Sequence, residues 1–360
     1  MTRPYVTIDL GKIEHNARVI VDLCRTHGIE VTGVTKCVCG HPEVARAMLR
    51  GGVGSIGDSR LENLKRLRSA GIDCPLHLLR VPALSQAEQV VELADLSLNS
   101  ELVVLEALSR AAERLGRVHE VVLMIDLGDL REGLWPDRLL PWVEDLIAQP
   151  GLRLVGLGAN LACFAGVVPS PENMQQLLEL GRALERRFDL ALRWLSGINS
   201  SGLEMIAANA MPREINHARI GEAILLGCET THRRPWPGTF GDAFALYAEI
   251  VELQRKPSRP VGERAEDAFG HYPEFPDRGE MLRALVDVGR EDVAVEGLSP
   301  LDGRLSILGA SSGYTALDAT GAPELRVGDV LGFSLSYAAL LAVMDSPYVD
   351  KRPRLTQPDA

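Results

Sequence analysis

The sequence predicts an α/β protein: a (β/α)8 TIM barrel followed by a C-terminal β-rich domain. From residue 30 to about 227, short β-branched runs alternate with amphipathic helical stretches, the signature of βαβ units around a parallel sheet. Eight such runs fit one closed barrel. After Gly227 the texture changes to strand-like runs separated by Gly, Pro and Asp turns, without crossover helices.

In chain order the barrel strands are expected at Glu30–Thr35, Ser55–Gly57, Pro75–Leu79, Asp95–Leu98, Glu120–Ile125, Leu152–Ala159, Arg193–Ser196 and Glu214–Arg219. Between them the 3.6-residue apolar period marks helices such as Pro42–Arg50, Arg60–Ala70, Glu101–Leu115 and Glu172–Arg187. A Pro- and Arg-rich passage, Thr231 to Thr239, then leads into Ala245–Gln254, Leu285–Val288, Arg304–Leu308 and Val327–Phe333. The domain boundary is therefore set at residue 235, with residues 1–235 as barrel and 236–360 as β domain. The first strand, Tyr5–Leu10, is free to pair with either. At 360 residues, two domains are the natural expectation.

Composition narrows the function classes. With 46% apolar, 24% charged and 5% aromatic residues the chain is an ordinary globular protein. A net charge of -11 and no clustered Lys and Arg argue against nucleic acid. No apolar run approaches the roughly 20 residues of a membrane span, and Ala338 to Val343 is far too short. Six scattered cysteines and no signal peptide predict a reduced, cytoplasmic protein. Cys37 and Cys39 lack a second Cys/His pair at zinc spacing, so no metal is expected.

Reactive groups of such a barrel gather at the C-terminal ends of its strands. Lys36 ends the first one, after Val34 and Thr35. Partial burial there disfavours the charged amine and prepares it to bond an aldehyde cofactor. On local context alone, a strand-end lysine that snorkels to water is the commoner reading. Ser196-Gly197-Ile198-Asn199-Ser200-Ser201-Gly202 and Arg219-Ile220-Gly221-Glu222 each follow a late strand and open a helix, the usual position of a barrel phosphate site. Each alone reads as an ordinary cap; the adjacent pair favours phosphate. Arg219 has two readings: a fixed cation facing a pyridine nitrogen, which keeps that nitrogen unprotonated and the ring a weaker electron sink, or an ion pair with Glu214 or Glu222.

This arrangement resembles the fold-type III pyridoxal 5'-phosphate (PLP) enzymes, within them the alanine racemase superfamily and most closely its ornithine racemase branch. The likeness runs over nearly the whole chain. It rests on Val6 to Leu10 with Asn16, Val34-Thr35-Lys36 with Gly40-His41, Ile125 to Gly133, Asn160 to Cys163, Ser196 to Ser201 and Arg219-Ile220-Gly221. In the second domain, Asp267 to Gly270, Gly289 to Val293, Gly309 to Ser312 and Ser346 to Val349 are similar to that branch. The resemblance implies a PLP-dependent amino-acid racemase, an isomerase acting on ornithine, lysine or another small amino acid as a homodimer. It makes Lys36 the Schiff-base lysine and a catalytic base, and Arg219 the pyridine partner. Ser200, Gly221 and Glu222 match positions that hold the phosphate, the latter two through backbone N–H groups, and Asn199 and Ser201 are counted with them as cofactor-binding; Arg131 lies near the cofactor phenolate and substrate carboxylate, Asn160 flanks the ring, and Tyr348 is a further phosphate ligand.

Three departures stand out. Cys37-Val38-Cys39-Gly40 lacks the tyrosine that alanine racemases carry four residues after the lysine. Ala268-Phe269-Gly270 replaces the tyrosine that their β domain lends to the partner's site as second base, and phenylalanine transfers no proton. Gly313-Tyr314 stands where the ornithine branch has an Asp-His pair. The second base is therefore sought among Tyr314, Tyr272, His271 and Asp267, with Tyr314 favoured. The rival readings are a fold-type III lyase or decarboxylase and a non-catalytic PLP-handling protein.

Overall fold

The computed structural model describes residues 3–356. Its first strand, β1 (Tyr5–Asp9), runs directly into α1 (Leu10–Arg25). Eight parallel strands then close a barrel in sequence order: β2 (Glu30–Val34), β3 (Ser55–Asp58), β4 (Leu76–Leu78), β5 (Leu96–Asn99), β6 (His119–Met124), β7 (Leu152–Gly158), β8 (Trp194–Ile198) and β9 (His217–Ile220). Closure is made by β9 against β2, with Glu30 opposite His217 and Gly33 opposite Ile220. The connecting helices are α2 (Pro42–Arg50), α3 (Leu61–Ser69), α4 (Ala87–Leu93), α5 (Leu102–Arg114), α6 (Leu139–Ile147), α7 (Pro171–Phe188), α8 (Leu203–Ala207) and α9 (Glu222–Leu226). An α/β barrel with a separate β-rich region is thus the fold of this chain.

Local chemistry explains the helices. Buried Ile13, Ala17, Ile20, Val21 and Cys24 recur on one face of α1. Asn16 on that face donates to the carbonyls of Ile224 (3.0 Å) and Phe240 (2.9 Å) and accepts from Phe240 N (2.7 Å). Trp236 N and Thr239 Oγ1 in turn reach Gly227 O at 2.8 and 2.9 Å, so the compact barrel unit runs from Leu10 to Gly241. The longest helix, α7, opens with a reciprocal Ser170/Asn173 capping box and Pro171 in its first turn. The last barrel strand begins at His217, later than the expected Glu214, because Ile215 N bonds Pro212 O in a turn (3.1 Å).

Inside the barrel, side chains alternate inward and outward along each strand. One side of the interior is apolar: Leu96, Leu98, Val122, Met124, Val155 and Trp194 form one buried cluster. The other is polar, built from Thr32, Ser55, His77, Ser196, His217 and Arg219, each under 9% exposed.

A second compact unit joins residues 3–9 to Asp242–Leu355. Its strands are β10 (Phe244–Pro257), β11 (Glu280–Val286), β12 (Leu298–Pro300), β13 (Ser306–Ala310), β14 (Thr315–Asp318), β15 (Val330–Leu335) and β16 (Asp350–Arg354), with α10 (Tyr337–Asp345) before the last. The strand order is β12-β15-β10-β11-β14-β13, and β1 pairs with both β10 and β16. Along β10 burial alternates from Phe244 to Ile250, the period of a sheet with one covered face. The expectation of no crossover helix is corrected here. α10 links β15 to β16, which run in the same direction, since β15 and β1 are both antiparallel to β10 and β16 is parallel to β1. Ser336 Oγ caps α10 by accepting from Ala339 N (3.4 Å). No described helix is long and apolar enough to cross a membrane.

Candidate active site

The C-terminal ends of the barrel strands bring the sequence-predicted residues of the barrel to one mouth. Lys36 follows β2 in a single 3-10 turn, Lys36–Val38, and is half-buried. Its neighbours are clamped. Thr35 N bonds Gly57 O (3.0 Å), Thr35 Oγ1 donates to Asp58 Oδ2 (2.8 Å), and Arg66 donates to the Cys39 carbonyl. Asp58 also accepts from Asn63 (2.9 Å) and Arg60 N (3.1 Å), while burial pushes its carboxyl up from the ordinary range. Asp58 and Asn63 were not singled out by sequence reasoning. Nothing in the sequence marks them, since they act only by fixing the turn that presents Lys36.

Ser200 and Ser201 sit in a short 3-10 turn after β8, and both are buried. Ser200 Oγ accepts from Ala223 N (3.1 Å) and so ties this turn to the start of α9. Gly221 packs closely there: a Cβ would meet Val34 Cβ and Val34 O, each at 3.1 Å, so the start of α9 lies against the strand that carries Lys36. Glu222 pairs its carboxylate with Arg233, and burial, outweighing Arg233 and Lys36, raises its pKa. Asn199 spends its amide on protein groups: it donates to Leu161 O (2.8 Å) and Asn160 Oδ1 (3.2 Å) and accepts from Ser201 N (2.8 Å).

Two buried polar atoms at this mouth lack a partner among the described residues, Ser201 Oγ and Asn160 Nδ2. Such an orphan costs roughly 1–3 kcal/mol unless a ligand meets it.

Arg219, on β9, is 6% exposed. It donates to Ser196 O (2.8 Å), Ser196 Oγ and Ala159 O (2.5 Å). The ion pair weighed above is not made, because Glu214 binds Arg182 and Glu222 binds Arg233. Burial lowers its pKa to about 10, which leaves the guanidinium charged at neutral pH. A buried cation held, among the described residues, only by neutral acceptors of its two terminal nitrogens is an unfinished electrostatic arrangement.

The loop after β6 is shaped by two aspartates. Asp126 Oδ1 accepts from Gly128 N (2.8 Å) and Leu130 N (3.1 Å). Gly133 has φ +137°, and a Cβ there would lie 2.4 Å from Asp126 N, so only glycine fits. Buried Asp129 accepts from Cys163 N (3.2 Å), Phe164 N (2.8 Å) and Val167 N (3.1 Å) and joins this loop to the one after β7. Arg131 is engaged side by side with the Glu132 carboxylate. Beside that pair a cavity of about 720 Å³ is lined by Glu101, Glu132 and Asp137 against Arg131 and Arg138.

The remaining predicted residues belong to the β unit. Tyr314, in the turn between β13 and β14, is 50% exposed. Tyr272 is exposed and donates its hydroxyl to Arg264 O (2.5 Å). Asp267 accepts from Phe269 N and His271 N (2.8 and 2.9 Å), and Tyr348 is exposed.

Comparisons with known proteins point one way. Residues 8–228 match the family described as alanine racemase, N-terminal domain. The chain is 38% identical to ornithine racemase of Acetoanaerobium sticklandii over 97% of this chain and 99% of that protein. It is 36% identical to lysine racemase of Thermotoga maritima over 98% of each. Among solved structures, alanine racemase from Bacillus anthracis with bound L-Ala-P superimposes with a TM-score of 0.77 at 17% identity, covering 99% of this chain and 96% of that one, which is a likeness of fold.

Proposed function

This chain belongs to the alanine racemase family of PLP-dependent isomerases, and from that premise we propose that it racemises a basic amino acid, ornithine or lysine, with PLP carried by Lys36. Amino-acid racemase activity comes with the family. The substrate follows from the two near full-length relatives, and the cavity beside Arg131, with three carboxylates against two guanidiniums, favours a cationic side chain.

The residues present fit the cofactor. The single observation that carries the reading is Arg219: a buried cation with no carboxylate bonded to it among the described residues, anchored through its two terminal nitrogens and leaving Nε–H to meet a ring nitrogen. Ser201 Oγ and Asn160 Nδ2 are unsatisfied at the same mouth. On this reading Ser200, Ser201 and the backbone N–H groups of Gly221 and Glu222 hold the phosphate, with Tyr348 as a further ligand, while Asn160 flanks the ring and Asn199 holds Asn160 and Ser201 in place. When bound, PLP withdraws electrons from the substrate's α-carbon and makes its proton acidic. Arg219, always charged, keeps the ring nitrogen unprotonated and limits that withdrawal, which favours proton return over further chemistry. Lys36 Nζ takes and returns the α-proton on one face. Arg131, whose Nε and one terminal nitrogen face Glu132, has its other terminal nitrogen left to approach the substrate carboxylate.

Racemisation needs a second proton carrier on the opposite face. Tyr314 and Tyr272 are the proposed candidates. The Tyr272 hydroxyl is engaged with Arg264 O, which leaves Tyr314 the freer. A homodimer in which the β domain, residues 236–360, serves the barrel of the partner would deliver it.

Lys36→Ala is the test. It is expected to lose the absorbance of lysine-linked PLP and to racemise at least about 100-fold more slowly. A variant that keeps both contradicts the assignment.

A further inference from the structure

The geometry points to His217 as a positioning residue for Arg219, acting through the Ser196 hydroxyl. This rests on the reading of Arg219 as a cofactor ligand and goes beyond it, into the barrel interior behind the site.

The bonds form one chain. Arg219 donates to Ser196 Oγ, Ser196 Oγ lies 2.6 Å from His217 Nδ1, and His217 Nε2 lies 2.8 Å from Thr32 Oγ1. Thr32 Oγ1 is also 2.7 Å from Ser55 Oγ and 3.2 Å from His77 Nδ1. Every member is buried: Ser196 1%, His217 3%, Thr32 0%, His77 2% exposed.

Proton counting fixes the direction. Arg219 has only donors, so Ser196 Oγ accepts from it, and the single Ser196 O–H has His217 Nδ1 as its acceptor. His217 is then the Nε2–H tautomer and donates to Thr32, whose own hydroxyl hydrogen goes on to Ser55 Oγ or to His77 Nδ1. The opposite tautomer would leave the buried Ser196 O–H without an acceptor, at a cost of roughly 1–3 kcal/mol. Burial and the neighbouring cationic groups keep His217 neutral, its pKa well below the usual 6.5. Trp194 stacks on its ring at 4.1 Å between centroids, 14° between planes, and fixes the direction of the Nδ1 lone pair. The consequence is that Ser196 offers Arg219 only lone pairs, so the guanidinium is held in one orientation and its Nε–H is aimed rather than free to turn.

Three substitutions separate this role from simple packing. His217→Asn keeps an acceptor near the Nδ1 position and loses the Thr32 donor; His217→Gln keeps a donor near Nε2 and loses the acceptor for Ser196. Ser196→Ala removes the relay while leaving His217 and Trp194 in place. Each full-length variant is stripped, titrated with PLP by absorbance, and melted without cofactor. The PLP half-saturation concentration is expected to rise about tenfold, or about 1.4 kcal/mol, in His217→Gln and Ser196→Ala, with a shifted absorbance maximum, and to stay within about twofold in His217→Asn. Ser196→Ala binding as wild type, or Asn and Gln weakening binding equally, overturns the inference. If wild type forms no lysine-linked PLP, the functional reading itself fails instead.

Discussion

The two sides of the barrel interior are built from the same strands' alternation yet carry opposite chemistry. Leu96, Leu98, Val122, Met124, Val155 and Trp194 fill one side with apolar surface, Trp194 alone of the six donating a side-chain hydrogen bond, from Nε1 to Glu30 (3.2 Å). Across from them Thr32, Ser55, His77, Ser196, His217 and Arg219 are equally buried but are joined by hydrogen bonds. Trp194 belongs to both, apolar in its cluster and stacked on His217. A polar network of this kind is stable only if every member is satisfied, so its retention beside the mouth is explained by what it holds, the Arg219 guanidinium. The apolar side supplies stability; the polar side supplies orientation.

That division can be broken by experiment. The largest stability effect belongs to the apolar side. Met124→Ala, at a position with no exposure, is expected to cost about 2–5 kcal/mol in denaturant unfolding while PLP half-saturation moves less than about twofold. A large loss of PLP affinity there would erase the distinction.

Acid should strike the polar side. Burial lowers the pKa of His77 from 6.5 to about 4. The unfolded chain therefore binds this proton at higher pH than the folded one, so stability present above pH 6.5 is lost as pH falls towards 4, by up to about 3 kcal/mol from this group. His119, bonded to Ser97 Oγ (2.8 Å) and also lowered to about 4 by burial, adds in the same direction. Melting curves between pH 7 and 4 check the sign; flat stability across that range contradicts it. The smallest effect is expected at the mouth. Ser201→Ala removes an orphaned hydroxyl, so the cofactor-free protein should melt no lower than wild type, while PLP affinity drops about fivefold, near the 1 kcal/mol of one neutral hydrogen bond.

The barrel was legible in the sequence because strand and helix periods alternate from Glu30 onward, and Lys36, Ser200 and Arg219 stand out as unusual residues at strand ends. The polar network was not. His217 reads as an ordinary strand residue until closure of β9 on β2 brings it to Thr32, 185 positions away in sequence. The same holds for Asp129, whose meaning lies in backbone N–H groups 34 to 38 residues further on. The crossover helix α10 was hidden for another reason. Its Ala338 to Val343 run is apolar on nearly every position, so no amphipathic period announces it.

The most direct measurement is a chiral assay of the PLP-loaded protein in D₂O, with L- and D-ornithine, L- and D-lysine and the other common amino acids as substrates. Both enantiomers of ornithine or lysine are predicted to converge on one racemic mixture with deuterium at the α-carbon. Absence of α-deuterium from every amino acid, or release of CO₂, ammonia or an aldehyde in place of the enantiomer, would contradict the account.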